Sequence, residues 1–316
     1  MKYLKNKVPI ILSIFATAIF FCILGLSGYI IQYIPWAMEG SEYRYQLCGE
    51  IIAAVFALGM MLIFGCVYVL KRKGSGFFKG LIPCLYIIFT VCYSGIIQIT
   101  SSLSMEYKIA PFGDIIVFLL TMIMVGITEE FLFRGFIAEI IFEKYGKTSA
   151  GVWFSVIVSG CIFGFMHMIN AFSVGEPASA LIQSISAAVI GMAFCAIYYR
   201  TKNIWVCVFL HTIINTASLT PTGIFEGYSF GEALGSYTSF NLIAAVPYLI
   251  VTLILLRPEK MNEVVKVKEP SSRKLIIINT LLATALFMTA IITAYALLPQ
   301  SIETMMELMK ESMGNV

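Results

Sequence analysis

Three short polar runs interrupt long apolar stretches of this chain, and their side chains could carry out acid–base chemistry. The first run holds Glu129, Glu130 and Arg134, and the other two hold the only histidines of the chain, His167 and His211. An ionisable side chain inside hydrocarbon is costly, so such a residue within a membrane span points to a functional site. Together, two carboxylates, a guanidinium and two imidazoles can move protons and stabilise developing negative charge.

The spacing within the first run predicts different partners for its two carboxylates. Glu130 and Arg134 are four residues apart, so they share a helix face and can form an ion pair. Glu129 is turned about 100° away by the helical period and has no partner on its own helix. An unpaired carboxylate suits a general base. A buried structural ion network of all three residues is the alternative interpretation.

The two histidines also have neighbours at helical spacing. Phe163 lies four residues before His167, so its ring can wall one side of that imidazole. A histidine on an apolar helix can also be a satisfied core residue. His211 and Asn215 share a face and could donate two hydrogen bonds to an oxyanion. Alternatively, Asn215 only sets the tautomer of His211.

The elements that position these residues are predicted to be membrane helices. The chain of 316 residues is 59% apolar and 12% charged, with a mean hydropathy of +0.89, whereas soluble domains are about 25% charged. We expect an all-α, polytopic membrane bundle of eight or nine transmembrane helices. The first apolar run is too long for a signal peptide and is expected to remain as a span. The predicted helices cover residues 8–34, 47–70, 80–100, 112–142, 149–170, 178–199, 203–219, 239–256 and 275–298.

Charge patterning predicts the orientation of the bundle. Most of the 21 lysines and arginines fall in alternate loops, and these loops are expected to be cytoplasmic. The N-terminus is therefore expected in the cytoplasm and the C-terminus outside, in a plasma membrane. The net charge of +3 gives no indication of nucleic acid binding. The eight cysteines are scattered in apolar runs and are expected to be free buried thiols.

The three motifs together resemble those of a known protease family. They read Glu129-Glu130-x-x-x-Arg134, Phe163-x-x-x-His167 and His211-x-x-x-Asn215. In this order they are similar to the CAAX-protease and bacteriocin-processing family (CPBP, also called Abi), which includes the type II CAAX prenyl endopeptidase. The resemblance covers residues 111–220. It implies a four-helix catalytic core in 111–220, whereas the N-terminal membrane helices expected in 1–110 and the C-terminal membrane helices expected in 221–316 lie outside it.

The resemblance implies hydrolysis of a peptide bond within the membrane. Glu129 and His167 would activate a water, His211 and Asn215 would stabilise the oxyanion, and Glu130 with Arg134 would hold the site together. The implied partners are the lipid bilayer and a membrane-associated peptide or protein substrate. Glu129, His167 and His211 also have the composition of a catalytic zinc site. A Zn²⁺-dependent mechanism and a metal-free mechanism are therefore both compatible with the sequence.

Two other classes of function stay open from the sequence. The chain could be a non-catalytic membrane scaffold, or a bacteriocin self-immunity factor, that retains the protease fold. It could also be a proton-coupled transporter with Glu129 and the histidines as a relay. A transporter predicts inverted repeats and helices broken in mid-span, and the sequence shows neither apart from Pro247.

Two further expectations concern the depth of the site and its outer cover. Counted from the predicted span ends at 1.5 Å per residue, His211 lies about 12 Å, Glu129 about 21 Å and His167 about 27 Å from the cytoplasmic face. A common site requires tilt, or shifted helix ends, to absorb about 10 Å of this difference. The loop 220–238 is rich in glycine and aromatic residues, and could be an interfacial loop or a lid over a cavity.

Overall fold

The structure is a computed structural model that describes residues 2–171 and 177–264, and it is an all-α bundle. Within those ranges, six helices are long and apolar enough to cross a membrane, and two shorter apolar helices accompany them. The predicted multi-pass helical membrane fold is confirmed. The predicted ninth span, 275–298, lies outside the described residues.

The α-helices are α1 Lys2–Lys7, α2 Pro9–Ile31, α3 Pro35–Met38, α4 Glu42–Ile63, α5 Phe77–Leu81, α6 Leu85–Ser104, α7 Phe112–Glu130, α8 Glu139–Tyr145, α9 Ser149–Met166, α10 Pro177–Thr201, α11 Ile204–Ser218, α12 Thr220–Ile224, α13 Phe230–Gly235, α14 Ser239–Leu255 and α15 Pro258–Val264.

The second membrane helix starts and ends earlier than the predicted range of 47–70. Ser41 is the N-cap of α4, and its hydroxyl accepts a hydrogen bond from the backbone N–H of Tyr43, so the helix begins at Glu42. It ends at Ile63 because Gly65 adopts a φ of +69°, which a right-handed helix does not contain. The shift places residues near 50 well inside the membrane helix.

A π-helix joins α7 to α8. It covers Phe131–Ala138, and all eight of its residues are buried. With α7 and α8 it forms one apolar helix of 34 residues, Phe112–Tyr145. Short π-segments within α-helices occur frequently at functional sites, and this one contains Arg134 of the first motif.

Small residues bring α9 and α10 into close contact. A Cβ atom added at Gly164 would lie 2.5 Å from the carbonyl oxygen of Ser184, and one at Gly160 would lie 2.8 Å from that of Ala188. Glycines four residues apart are the usual device for close packing of membrane helices. This contact carries Phe163, on α9, toward Gly191 on α10, where an added Cβ would lie 2.9 Å from the phenyl ring.

A polar cluster closes the end of the bundle that carries the basic loops, which we name the basic end (residues 65–79, 143–148 and 200–203). The Glu139 carboxylate accepts hydrogen bonds from Arg72 at 2.7 Å, Tyr68 at 2.5 Å and Tyr198 at 2.6 Å. A buried carboxylate needs several donors of this kind. The cluster ties the loop after α4 to α8 and α10.

The loop 220–238 lies across the other end of the bundle. The backbone N–H of Phe230 donates to Glu42 at the start of α4, and Ser179 at the start of α10 donates to the carbonyl of Leu234. At the start of α13, the backbone N–H of Ser229 donates to the Glu232 side chain and holds the pKa of that carboxyl below its usual range. The loop is thus anchored to helices on two sides of the bundle, and its two alternative roles, interfacial loop or lid over a cavity, stay predictions.

Candidate active site

A buried ion pair forms the base of the site. Nη1 of Arg134 lies 2.9 Å from Oε1 of Glu130, and the two side chains are 1% and 0% exposed. The predicted pairing of these residues on one face is confirmed. The second terminal nitrogen of Arg134 donates to the carbonyl of Gly191 at 3.1 Å. The guanidinium also lies 4.7 Å from the ring centroid of Phe163 and 5.2 Å from that of Phe194, so two cation–π contacts replace its hydration.

His211 stands between the two glutamates. Its Nδ1 lies 2.8 Å from Oε1 of Glu130, and its Nε2 lies 3.6 Å from Oε2 of Glu129. Glu130 therefore contacts both Arg134 and His211. A carboxylate beside one ring nitrogen fixes which nitrogen carries the proton and how the imidazole is oriented. Glu130 therefore takes the role that the sequence analysis offered, as one alternative, to Asn215.

A glycine permits this contact between helices. At Gly126 on α7, an added Cβ would lie 2.6 Å from the hydroxyl of Thr212 and 3.1 Å from the carbonyl oxygen of Val208, both on α11. A side chain at this position would push the two helices apart. The close approach lets His211 of α11 reach the glutamates of α7.

His167 begins a short 3₁₀ turn, His167–Ile169, directly after α9. Its Nδ1 lies 3.0 Å from the carbonyl oxygen of Phe163. A carbonyl can only accept, so Nδ1 carries the proton and Nε2 keeps its lone pair. The ring of Phe163 packs edge-on at 5.0 Å from His167 and at 5.9 Å from His211. The predicted aromatic wall beside His167 is confirmed, and the same ring also walls His211.

The Glu129 carboxylate lies beside His211 but makes no hydrogen bond with any residue that the structure describes. Its side chain is 13% exposed, and its Oε2 has no hydrogen bond. The prediction that Glu130 is paired and Glu129 has no partner on its own helix agrees with this geometry. Glu129 lies next to His211, which the sequence had not anticipated.

Asn215 is half-buried and lies one turn beyond His211 on α11. Its backbone carbonyl accepts a hydrogen bond from Leu219 at the end of the helix. Its side chain has no hydrogen bond to any residue that the structure describes, so the carboxamide is available to a ligand. No described contact joins it to the His211 ring, and Glu130 holds that ring instead.

The sequence predicted different membrane depths for His211, Glu129 and His167, and the difference arises because the helices that carry them do not end at the same depth. The ring of Trp205, near the start of α11, packs 5.9 Å from that of Phe131, and an added Cβ at Gly135 would lie 3.2 Å from Ile204. Helix α11 therefore begins beside the π-helix, about ten residues or 15 Å short of the end of α8 at Tyr145. Counting every residue from a common membrane face was wrong, and the contacts among His211, Glu129 and Phe163 show that the motifs meet.

The side chains do not form a ready metal site. Within residues 2–171 and 177–264, no group of three His, Cys, Asp or Glu side chains is placed to hold a metal ion. Both Nδ1 atoms are engaged, by Glu130 and by the Phe163 carbonyl, which is common for metal-binding imidazoles and leaves each Nε2 atom free. As they are placed, however, Glu129, His167 and His211 do not form a three-ligand set, whereas the side chains alone can carry out acid–base chemistry.

One buried acid near the site was missed from the sequence. Glu50 on α4 is 7% exposed, and its Oε2 has no hydrogen-bond partner among the described residues. The hydroxyl of Thr128, next to Glu129, donates to the backbone carbonyl of Glu50 at 3.1 Å. The signal was a lone acid in an apolar run, but the predicted helix start at residue 47 put it near the membrane surface.

Comparison with known proteins relates the central part of the chain to membrane peptidases. Residues 111–217 match the family described as type II CAAX prenyl endopeptidase Rce1-like. A stretch of 90 residues is 31% identical to the Bacillus subtilis (strain 168) protein named "Putative membrane peptidase YdiL", covering 28% of this chain. The chain spans 30% of the length of that relative. No solved structure matches the chain significantly.

Proposed function

We propose that this chain, whose residues 111–217 belong to the CPBP family of membrane proteases, is an intramembrane endopeptidase. The observation that carries the proposal is a carboxylate without a hydrogen bond, Glu129, beside the imidazole of His211, whose ring shares the Phe163 contact with that of His167. Nδ1 of each imidazole is already oriented by a hydrogen bond. Its substrate would be a membrane-associated peptide or protein in the plasma membrane.

The first step is attack of water on the peptide carbonyl. Glu129 and the lone pair on Nε2 of His167 accept the two hydrogens of one water, and Glu129 removes a proton as the water oxygen bonds to the carbonyl carbon. The phenyl ring of Phe163 holds the His167 imidazole in place. The carbonyl π-electrons move to the oxygen, which becomes an oxyanion.

The second step is stabilisation and collapse of this tetrahedral intermediate. His211 acts here with protons on both ring nitrogens, so that its Nδ1–H donates to Glu130 and its Nε2–H donates to the oxyanion, together with the free carboxamide of Asn215. The carbon–nitrogen bond then breaks, and the leaving amine takes the proton from Glu129. Glu130 acts behind His211 in the way that a triad carboxylate orients its histidine, and Arg134 balances its charge.

Peptide cleavage by purified protein and by three variants tests the proposal. The variants Glu129→Gln and His167→Ala should lower kcat by at least about 100-fold, because each removes an acceptor of the water hydrogens. Asn215→Ala should lower kcat about 100-fold with little change in KM, because one oxyanion donor is lost.

Three results would contradict this proposal. Cleavage that survives both Glu129→Gln and His167→Ala removes the proposed base. A chelator could abolish activity and added zinc restore it, in samples whose metal content is measured. That result would support the metal-dependent alternative. Absence of any cleavage by the wild type would favour the non-catalytic scaffold.

A further inference from the structure

Glu50 faces the candidate active site from a helix outside the matched region. It lies on a buried stripe of α4 at helical spacing that also contains Ala53, Ala57 and Met61. Met61 of this stripe packs against Gly135 of the π-helix, where an added Cβ would lie 2.7 Å from its terminal methyl. The stripe therefore faces the long helix that carries Glu129.

A hydrogen bond between the helices places Glu50 near the proposed base, Glu129. The Thr128 hydroxyl donates to the Glu50 backbone carbonyl at 3.1 Å, which joins the two helices one residue from Glu129. The opposite neighbour of α4 is α2, whose buried residues include Ser13, Thr17 and Ser27 and no ionisable side chain.

The Oε2 atom of Glu50 is a buried acceptor without a donor among the described residues. Buried polar atoms in native structures nearly always have a hydrogen-bond partner, so an unpaired acceptor of this kind indicates a donor supplied by a ligand. A peptide that unwinds for cleavage inside a membrane brings such donors, because its backbone N–H groups lose their helical partners and the bilayer offers no water.

We infer that Glu50 binds the substrate, by accepting a hydrogen bond from a backbone N–H beside the scissile bond. The inference rests on the proposed endopeptidase function. It gives the site a substrate-binding wall on α4, opposite the His211 and Asn215 wall on α11. It also implies that the substrate is bound unwound, since a helical N–H is already engaged.

Leucine and glutamine variants separate substrate binding from a structural role. Glu50→Leu should leave the melting temperature unchanged or higher, because an apolar side chain replaces a buried unpartnered acid. Its kcat/KM should nevertheless fall about 10- to 100-fold, mainly through KM, because one hydrogen bond to the substrate is lost. Glu50→Gln keeps an acceptor oxygen and should stay within about fivefold of the wild type.

Ester-containing substrates identify the donor. In a series of peptides, each amide near the scissile bond is replaced in turn by an ester, which lacks the N–H. One ester should reduce cleavage by the wild type as much as Glu50→Leu does, and Glu50→Leu should have no further effect on that peptide. Glu39→Leu is the matched control, since it removes an exposed carboxylate that lies just before the same helix and bonds to no described residue, and its kcat/KM should equal that of the wild type.

The outcomes distinguish this inference from the function on which it rests. If the wild type cleaves, Glu129→Gln does not, and Glu50→Leu cleaves normally, the substrate-binding role of Glu50 is wrong and the protease stands. If Glu50→Leu lowers cleavage of every ester peptide equally, Glu50 acts on something other than a substrate N–H, and the inference is again wrong. If the wild type cleaves no peptide, both proposals fall. If Glu50→Leu does not fold, the ester series is run on Glu50→Gln, whose neutral acceptor makes a weaker hydrogen bond. The critical ester should then cost Glu50→Gln less activity than it costs the wild type, and an equal cost would contradict the inference.

Discussion

Arg134 is the largest fully buried side chain that the structure describes. Its charge is balanced by Glu130, and its remaining surface meets the Gly191 carbonyl and two aromatic rings. A pair this deep need not stabilise the fold, because removing two charges from water costs about as much as their attraction returns. Its value lies in the site, where Glu130 also orients His211.

A double-substitution cycle separates these two roles. Arg134→Met should lower the free energy of unfolding by about 3–5 kcal/mol, because it leaves the Glu130 charge buried without its partner. The double variant Glu130→Leu with Arg134→Met should recover most of that loss, because both charges are gone. It should still be inactive, because Nδ1 of His211 has lost its acceptor. Thermal or denaturant unfolding in detergent measures the first effect, and an Arg134→Met protein as stable as wild type would contradict it.

At the scale of the elements, close helix contacts set the distances between the motifs. The π-helix Phe131–Ala138 contains Arg134, and the crossing of α7 and α11 at Gly126 brings His211 to the glutamates. Although α11 is short, it brings His211 to the depth of the glutamates because it starts beside the π-helix rather than at the end of α8. The site therefore depends on glycine where the helices touch.

An alanine substitution at Gly126 tests that dependence. The added methyl would meet Thr212 and Val208 and force α7 and α11 apart, so stability should fall by about 1–3 kcal/mol. Cleavage should fall as well, because the His211 ring moves away from Glu130. Gly113, on the same helix, has open space around an added Cβ. Gly113→Ala is the matched control and should leave both melting temperature and kcat near wild type, whereas equal effects at both glycines would refute this account.

At the scale of the whole molecule, the described part of the chain has two different ends. The basic end is closed by the Glu139 cluster, and the loop 220–238 crosses the other end from α4 to α10. The distribution of lysine and arginine leads us to propose that the basic end is cytoplasmic.

Reporter fusions test this orientation. A green fluorescent protein joined after residue 146 should fluoresce, and an alkaline phosphatase joined after residue 227 should be active, because these positions lie on opposite sides in the proposed topology. Exchanging the reporters should abolish both signals. The reverse pattern would invert the orientation while leaving the site geometry unchanged.

Sequence spacing alone determined the features that depend on one helix. The pairing of Glu130 with Arg134, the absence of a partner for Glu129 on its own helix and the aromatic wall of Phe163 beside His167 all follow from residues four apart or adjacent on a helix. The class of fold followed from composition, because the bilayer leaves few alternatives to helices for apolar spans of this length.

Only the tertiary structure decided which helices meet and at what level. The contact of Glu130 with His211, the start of α11 beside the π-helix, and the approach of Glu50 to Glu129 join residues that are 78 or more positions apart or lie at unequal helix ends. Such contacts depend on helix ends, loop conformations and close packing at glycines, which local periodicity does not encode. The motifs thus identified the chemistry, and packing between helices assembled it.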